Sequence, residues 1–160
     1  MANRKPLVIV DGQIQQIQAG DTLEAEVSAQ QTISAENGEV GSIVIGTPVY
    51  ISGAGQVKKA KADASGTKEV IGLVKDASIS ASETGTILVN GVLTATTGQW
   101  DVVTGATGGL TPNTVYFLDP STAGKLTSTA PSTVGQYVVR IGIAISTTAM
   151  KVEPEETVLL

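Results

Sequence analysis

The 160-residue sequence contains neither cysteine nor histidine. That double absence excludes disulfide frameworks, thiol nucleophiles, Cys/His zinc sites, Ser-His-Asp triads and imidazole acid-base chemistry together. Aromatic residues are scarce as well, with one Trp, one Phe and three Tyr. Too few aromatics remain to interleave with basic residues as a base-stacking platform for nucleic acid. Positive charge is short: Lys and Arg number 10 against 15 Asp and Glu, a formal net charge of −5. A chain with that balance is not expected to bind nucleic acid or an anionic membrane surface through clustered cations. Long apolar runs are missing too, and nothing approaches the ~18 to 20 residues that cross a bilayer. The basic start Met1–Lys5 precedes only Leu7–Val10, far short of the roughly 7 to 15 residues of a signal-peptide core, so a soluble protein made without such a signal is expected.

What is abundant is the β-branched set. About a third of the chain is Val, Ile or Thr, side chains that suit a pleated surface and lose freedom in a helix. The apolar residues fall in short runs: Ser42-Ile-Val-Ile45, Pro48-Val-Tyr-Ile51, Val70-Ile-Gly-Leu-Val74, Thr86-Ile-Leu-Val-Asn90, Trp100-Asp-Val-Val103, Thr114-Val-Tyr-Phe-Leu118, Tyr137-Val-Val-Arg-Ile141 and Ala149-Met-Lys-Val152. Gly, Ser, Asp and Asn separate them, the spacing of a sandwich or barrel of short strands. Asn90-Gly91 reads as a two-residue hairpin turn or a bulge, and Asp11-Gly12 as a tight turn after Leu7–Val10. Residues 1–40 are otherwise polar and read as an extended N-terminal arm, residues 41–152 as the β domain, and residues 153–160 as a tail with an apolar end that frays unless something covers it.

An internal echo runs through the β domain. Thr47-Pro-Val-Tyr-Ile51, Gln56-Val57 and Glu69-Val-Ile-Gly-Leu-Val74 correspond in order to Asn113-Thr-Val-Tyr-Phe117, Gly124-Lys-Leu126 and Tyr137-Val-Val-Arg-Ile-Gly-Ile-Ala144. The echo predicts two similar units, 41–98 and 99–152, against the blander reading that any chain of short strands aligns to itself.

No constellation points to chemistry. Asp76, Glu83, Asp101 and Asp119 all adjoin turn residues, and a two-carboxylate hydrolase needs its pair held about 5 to 9.5 Å apart, so they read as solvated turn residues. Asp119-Pro-Ser-Thr-Ala-Gly124 has one carboxylate where a calcium loop needs several, and a type I turn explains it. Gly105-Ala-Thr-Gly-Gly109 lacks the Lys and Ser/Thr of a phosphate loop. Lys58-Lys59-Ala60-Lys61, the one basic cluster, reads as a solvated strand edge that discourages pairing. Leu110-Thr-Pro-Asn-Thr-Val-Tyr116 has the spacing of a tyrosine corner, whose hydroxyl bonds back to nearby backbone. No catalytic residue, cofactor or metal site is assigned.

The order of Gly-Thr-Pro-Val-Tyr (46–50), Val-Ile-Gly-Leu-Val (70–74), Gly-Leu-Thr-Pro-Asn-Thr-Val-Tyr-Phe-Leu (109–118), Ala-Gly-Lys-Leu-Thr (123–127) and Val-Gly-Gln-Tyr-Val-Val-Arg-Ile-Gly-Ile-Ala (134–144) resembles virion proteins of tailed bacteriophages, small capsid decoration (cement) proteins and head-fibre modules. Residues 4–17 resemble the N-terminal attachment segment of some phage fibre proteins. The resemblance implies an all-β structural protein of the virion capsid surface, made in the host cytoplasm. It implies a homo-oligomer, a trimer foremost, on a major capsid protein. A fibre module that binds a host receptor or glycan is the alternative. The expected contact residues are Pro6, Leu7, Val8, Ile9, Val10, Ile14 and Ile17 in the arm and Val158, Leu159 and Leu160 in the tail.

Overall fold

The computed structural model describes residues 30–63 and 66–160, and before them the backbone of two strands, Leu7–Val10 (β1) and Gln13–Gln16 (β2). These two pair antiparallel with Leu7 opposite Gln16 and Ile9 opposite Ile14. Their connection Asp11-Gly12, and Pro6 and Ile17 of the expected contact set, lie outside the described residues.

The fold is all-β with one short helix, as the short apolar runs predict, and the sandwich-or-barrel choice resolves to a five-stranded barrel with further strands attached. The barrel strands are Gln31–Asn37 (β3), Pro48–Gly53 (β5), Gln56–Lys59 (β6), Gly72–Val74 (β7) and the first part of Thr84–Thr94 (β9). They close in the order β9-β3-β6-β5-β7-β9, parallel between β3 and β6 and antiparallel elsewhere. A short antiparallel pair, Ile43–Val44 (β4) and Ser78–Ile79 (β8), sets Ile43 opposite Ile79. Both isoleucines are buried with Ala35, Val49, Val57, Val74 and Ile87 in the barrel core.

The far end of β9 leaves the barrel and pairs with Ala149–Val152 (β14), and the sheet continues through Arg140–Ala144 (β13) and Val115–Leu118 (β10) to Leu126–Thr127 (β11). Beside it lies a second core that includes Leu73, Leu88, Trp100, Leu118, Ile141 and Met150. Strands β7 and β9 are the wall between the two cores. Successive side chains of a strand point to opposite faces, so Val74 and Ile87 enter the barrel while Leu73 and Leu88 enter the second core. That is why these segments read as unbroken apolar runs without alternation.

Several expectations are corrected. Asn90-Gly91 is not a hairpin turn: β9 runs straight through it, and the register against β3 shifts between Gln31 and Thr32, so the bulge reading holds. Gly91 takes φ 131° there, which a side chain would resist. Trp100-Asp-Val-Val103 is not a strand but the middle of a helix, Thr97–Thr104 (α1). The missed signal is Thr96-x-x-Gln99. The Thr96 hydroxyl accepts from Gln99 N–H at 3.2 Å, and Gln99 Oε1 accepts from Thr96 N–H at 2.9 Å, closing a capping box. Thr96→Ala is expected to cost about 1 kcal/mol, read as a lower midpoint in urea unfolding at unchanged slope.

The arm does not extend to residue 40. Gln31–Asn37 is a barrel strand, because Ile33, Ala35 and Asn37 alternate with polar residues and Ala35 and Asn37 are buried. Asn37 Nδ2 donates to the carbonyls of Gly41 and Ile79, each at 2.9 Å, and its Oδ1 accepts from Glu39 N–H. A buried amide so satisfied fixes β3 against the β4–β8 pair. The lysine cluster is not a free edge either. Strand β6 has β5 on one side and β3 on the other, and where β3 ends a Glu39 carboxylate oxygen accepts from Lys59 N–H at 2.9 Å.

The echo has a counterpart in topology. Strand β5 lies between β6 and β7, and β10 lies between β11 and β13, all antiparallel. The register is offset by one residue: Val49 stands opposite Gly72, but Tyr116 rather than Val115 stands opposite Gly142. The tail is ordered by its own chain, with Val158–Leu159 (β15) pairing antiparallel with Tyr137–Val138 (β12).

Candidate interaction surfaces

The polar groups that could carry chemistry are tied to backbone. Asp101, on α1, accepts from Gly109 N–H at 2.7 Å and Gly108 N–H at 3.2 Å, holding the glycine-rich loop that follows the helix. Asp119 Oδ1 accepts from Ser121 and Thr122 N–H at 2.6 and 2.8 Å, and Asp76 Oδ2 from Thr86 N–H at 2.8 Å. Each carboxylate thus shapes a turn or joins strands. Among the described residues, no group of three acidic side chains could hold a metal ion.

The tyrosine corner is present: Tyr116 Oη accepts from Thr111 N–H at 3.0 Å, and the ring is buried. Tyr116→Phe keeps the ring and strands that amide, at an expected cost of about 1 kcal/mol, to be read from thermal unfolding.

The exposed apolar residues described include those at two places. The first is the C-terminal end. Val158, Leu159 and Leu160 are 57%, 61% and 40% exposed, and Val134 is 88% exposed. Leu160 is held beside Val134 because its N–H donates to Gln136 O and its carbonyl accepts from Gly135 N–H, each at 3.0 Å. The three tail residues expected from the sequence are therefore ordered but exposed, and Val134, which sequence reading did not single out, precedes the backbone that holds Leu160.

The charges near this end are paired. Arg140 bonds Glu155, and Lys151 bonds Glu153 at 2.7 Å. The Glu153 carboxyl is held below its ordinary pKa, first by the hydrogen bond from Lys151 and then by the Lys151 and Arg140 charges.

The second place is the barrel mouth. A groove of about 450 Å³ is lined by Gln31, Ile33, Ile51, Ile71, Val89 and Pro154, among others. By strand alternation Ile33 continues the inward row of Ala35, and Ile51 that of Val49. They lie past the end of the packed core, at 41% and 61% exposure. Among the described residues, the barrel core includes Ile43 and Ile79 from the β4–β8 pair, and a groove lined largely by apolar side chains lies at its end. Ile33 was hidden in sequence by the polar residues around it; the alternation of Ile33 with Ala35 is the signal that marks it.

Of the expected arm contacts, Leu7, Val8, Ile9, Val10 and Ile14 lie on β1 and β2, where the register pairs Ile9 with Ile14. No protein-family model matches this chain, and no curated protein matches it.

Proposed function

We propose that this chain is a structural virion protein that decorates and stabilises a bacteriophage capsid. It assembles as a homo-oligomer, a trimer foremost, on the major capsid protein at the particle surface. The observation that carries the reading is an ordered C-terminal strand whose apolar residues Val158 and Leu159, with Leu160 and Val134 nearby in the chain's hydrogen-bonded end, are left exposed. Contact that removes these branched side chains from water gains about 25 cal/mol per Å² of apolar area buried. The resemblance of residues 41–152 to cement and head-fibre proteins points the same way. So does a chemistry without cysteine or histidine, in which Asp76, Asp101 and Asp119 are bound to backbone amides. On a symmetric lattice many weak apolar contacts add up through avidity, and no reactive group is required.

The fibre-module alternative needs an aromatic platform for a glycan. Trp100, the one tryptophan, is fully buried, so decoration is the better supported reading.

The test is binding of the purified protein to capsids that lack their decoration protein, with native mass measured alongside. Val158→Asp combined with Leu159→Asp should lower occupancy at least about tenfold, since the loss at each contact multiplies over the lattice, while circular dichroism stays unchanged. Deleting residues 1–20 asks the same of the arm. A protein that stays a monomer and leaves capsids bare would overturn the proposal.

A further inference from the structure

The net charge of −5 hides a local concentration of positive charge. A pocket of about 210 Å³ lies where the barrel meets helix α1 and the approach to β11. From the barrel it is lined by Ser42 before β4, Thr47 before β5 and Lys59 at the end of β6, and from the other side by Val102 of α1 and by Gly124 and Lys125 ahead of β11.

Backbone contacts fix this arrangement. Gly124 N–H donates to the Ala60 carbonyl at 2.8 Å, which sets the approach to β11 against the end of β6. Gly124 takes φ 75°, and a Cβ there would stand 3.0 Å from Cγ of Lys59, so the stem of this lysine lies along the glycine. Lys125 Nζ donates to the Val102 carbonyl in the last turn of α1.

Two ammonium groups bordering one small pocket repel each other. Among the described residues neither is in an ion pair, and no lining residue is acidic. Glu39, the carboxylate nearest in the hydrogen bonding, accepts from the backbone N–H of Lys59 at 2.9 Å and is not part of the lining. An ammonium carries three donors. Lys125 uses one on Val102, and Lys59 Nζ has no hydrogen-bond partner among the described residues. Ser42 and Thr47 bring hydroxyls to the same lining.

We propose that this pocket binds a tetrahedral dianionic oxyanion of the phosphate class, with Lys59 and Lys125 as its countercharges and Ser42 and Thr47 as neutral donors. A dianion matches the two cations in charge, and its oxygens accept strong, charge-assisted hydrogen bonds from them. The site does not depend on the virion reading and applies to the isolated protein.

The test is titration of the isotope-labelled full chain with inorganic phosphate at mildly alkaline pH, where the ion is mostly dianionic, followed by amide NMR against sodium chloride of matched ionic strength. Saturable shifts of the Thr47, Lys59, Gly124 and Lys125 amides are expected with phosphate and with sulfate, and not with chloride. Lys59→Gln and Lys125→Gln should each weaken binding at least about tenfold, the size of one charge-assisted hydrogen bond; the second variant keeps an amide that can donate to Val102. Lys59→Arg keeps the charge and should bind within about threefold of the parent, which separates loss of charge from damage to the fold. Lys75→Gln, at a lysine that bonds Gln30 and does not line the pocket, should leave binding unchanged. Shifts equal to those in chloride, or unaltered affinity in both pocket glutamine variants, would overturn the site. Acetate bound as tightly as phosphate would also overturn it, since a planar monoanion would then suffice.

Discussion

Gly142→Ala is expected to lower stability by about 3 kcal/mol or more, the upper part of the range for overpacking a core, which for a chain of this size moves the thermal midpoint down by about 10 °C. A Cβ at Gly142 would stand 2.1 Å from the Lys151 carbonyl oxygen and 3.1 Å from its carbonyl carbon. The obstacle is the backbone of the adjoining strand β14, not a side chain that can rotate away. Relief therefore requires β13 and β14 to separate, and with them the register that holds Ala144 opposite Met150. Gly72 meets the same obstacle in the barrel, where a Cβ would lie 2.2 Å from the Leu88 carbonyl oxygen on β9. Gly72→Ala should cost a similar amount. The two glycines hold corresponding places in the two three-strand sets, each against the backbone of the next strand. Similar losses in chemical unfolding of the two single variants would match that correspondence; a loss below about 0.5 kcal/mol in either, the level of an ordinary surface change, would contradict the close approach.

The second large effect is expected at Trp100. The indole is fully buried, its Nε1–H donates to the Thr148 carbonyl at 3.0 Å, and its ring lies against Gly46, where an added Cβ would be 3.0 Å from Cζ3. Helix α1 thereby ties the start of the barrel to the β13–β14 turn. Trp100→Ala should cost about 4 kcal/mol, from lost transfer energy and the cavity left behind. Trp100→Phe should cost clearly less. The Thr148 carbonyl still accepts from Ala95 N–H at 2.9 Å, so the phenylalanine forfeits roughly 1 kcal/mol of hydrogen bond and some packing. The ordering Ala well above Phe, measured by urea unfolding followed by far-ultraviolet circular dichroism, checks this. Equal losses would mean that the hydrogen bond, not the packing, holds the helix.

How far these features were legible in the sequence differs from element to element. The strands around Val49, Leu73, Ile87, Tyr116 and Ile141 were readable because short β-branched runs between turn residues have few other uses. The tyrosine corner was readable for a similar reason: the spacing from Leu110 to Tyr116 is local, and so is the hydrogen bond it makes. Helix α1 was misread because Trp100-Asp-Val-Val103 has strand-like composition, and the capping box at Thr96 and Gln99 outweighs propensity over eight residues. Strand β3 was hidden because only Ile33, Ala35 and Asn37 carry its inward row, and one of these is polar. Its place depends on hydrogen bonds from Asn37 to Gly41 and Ile79, and the second of these partners is distant in sequence.

The tail shows the same division at the candidate surface. Val158-Leu159-Leu160 was conspicuous as an apolar end, yet whether it would be covered, loose or displayed was open. Pairing with Tyr137–Val138 orders it and leaves it in water. The groove at the end of the barrel was not legible at all, because it is a relation among β3, β5, β7 and β9 that no window of sequence contains.

By itself the sequence determined the class of the protein: an all-β chain of small aliphatic side chains, with turns set by Gly, Asp and Asn and with no thiol or imidazole for chemistry. Those properties are fixed by residue type and by spacing over a few positions. Only the tertiary structure decided that five of the strands close into a barrel, that β7 and β9 serve two cores at once, and that Ile33 and Ile51 line a groove at its end. These depend on which distant strands pair, and pairing is chosen by the burial of both faces of a strand together, a sum over the whole chain.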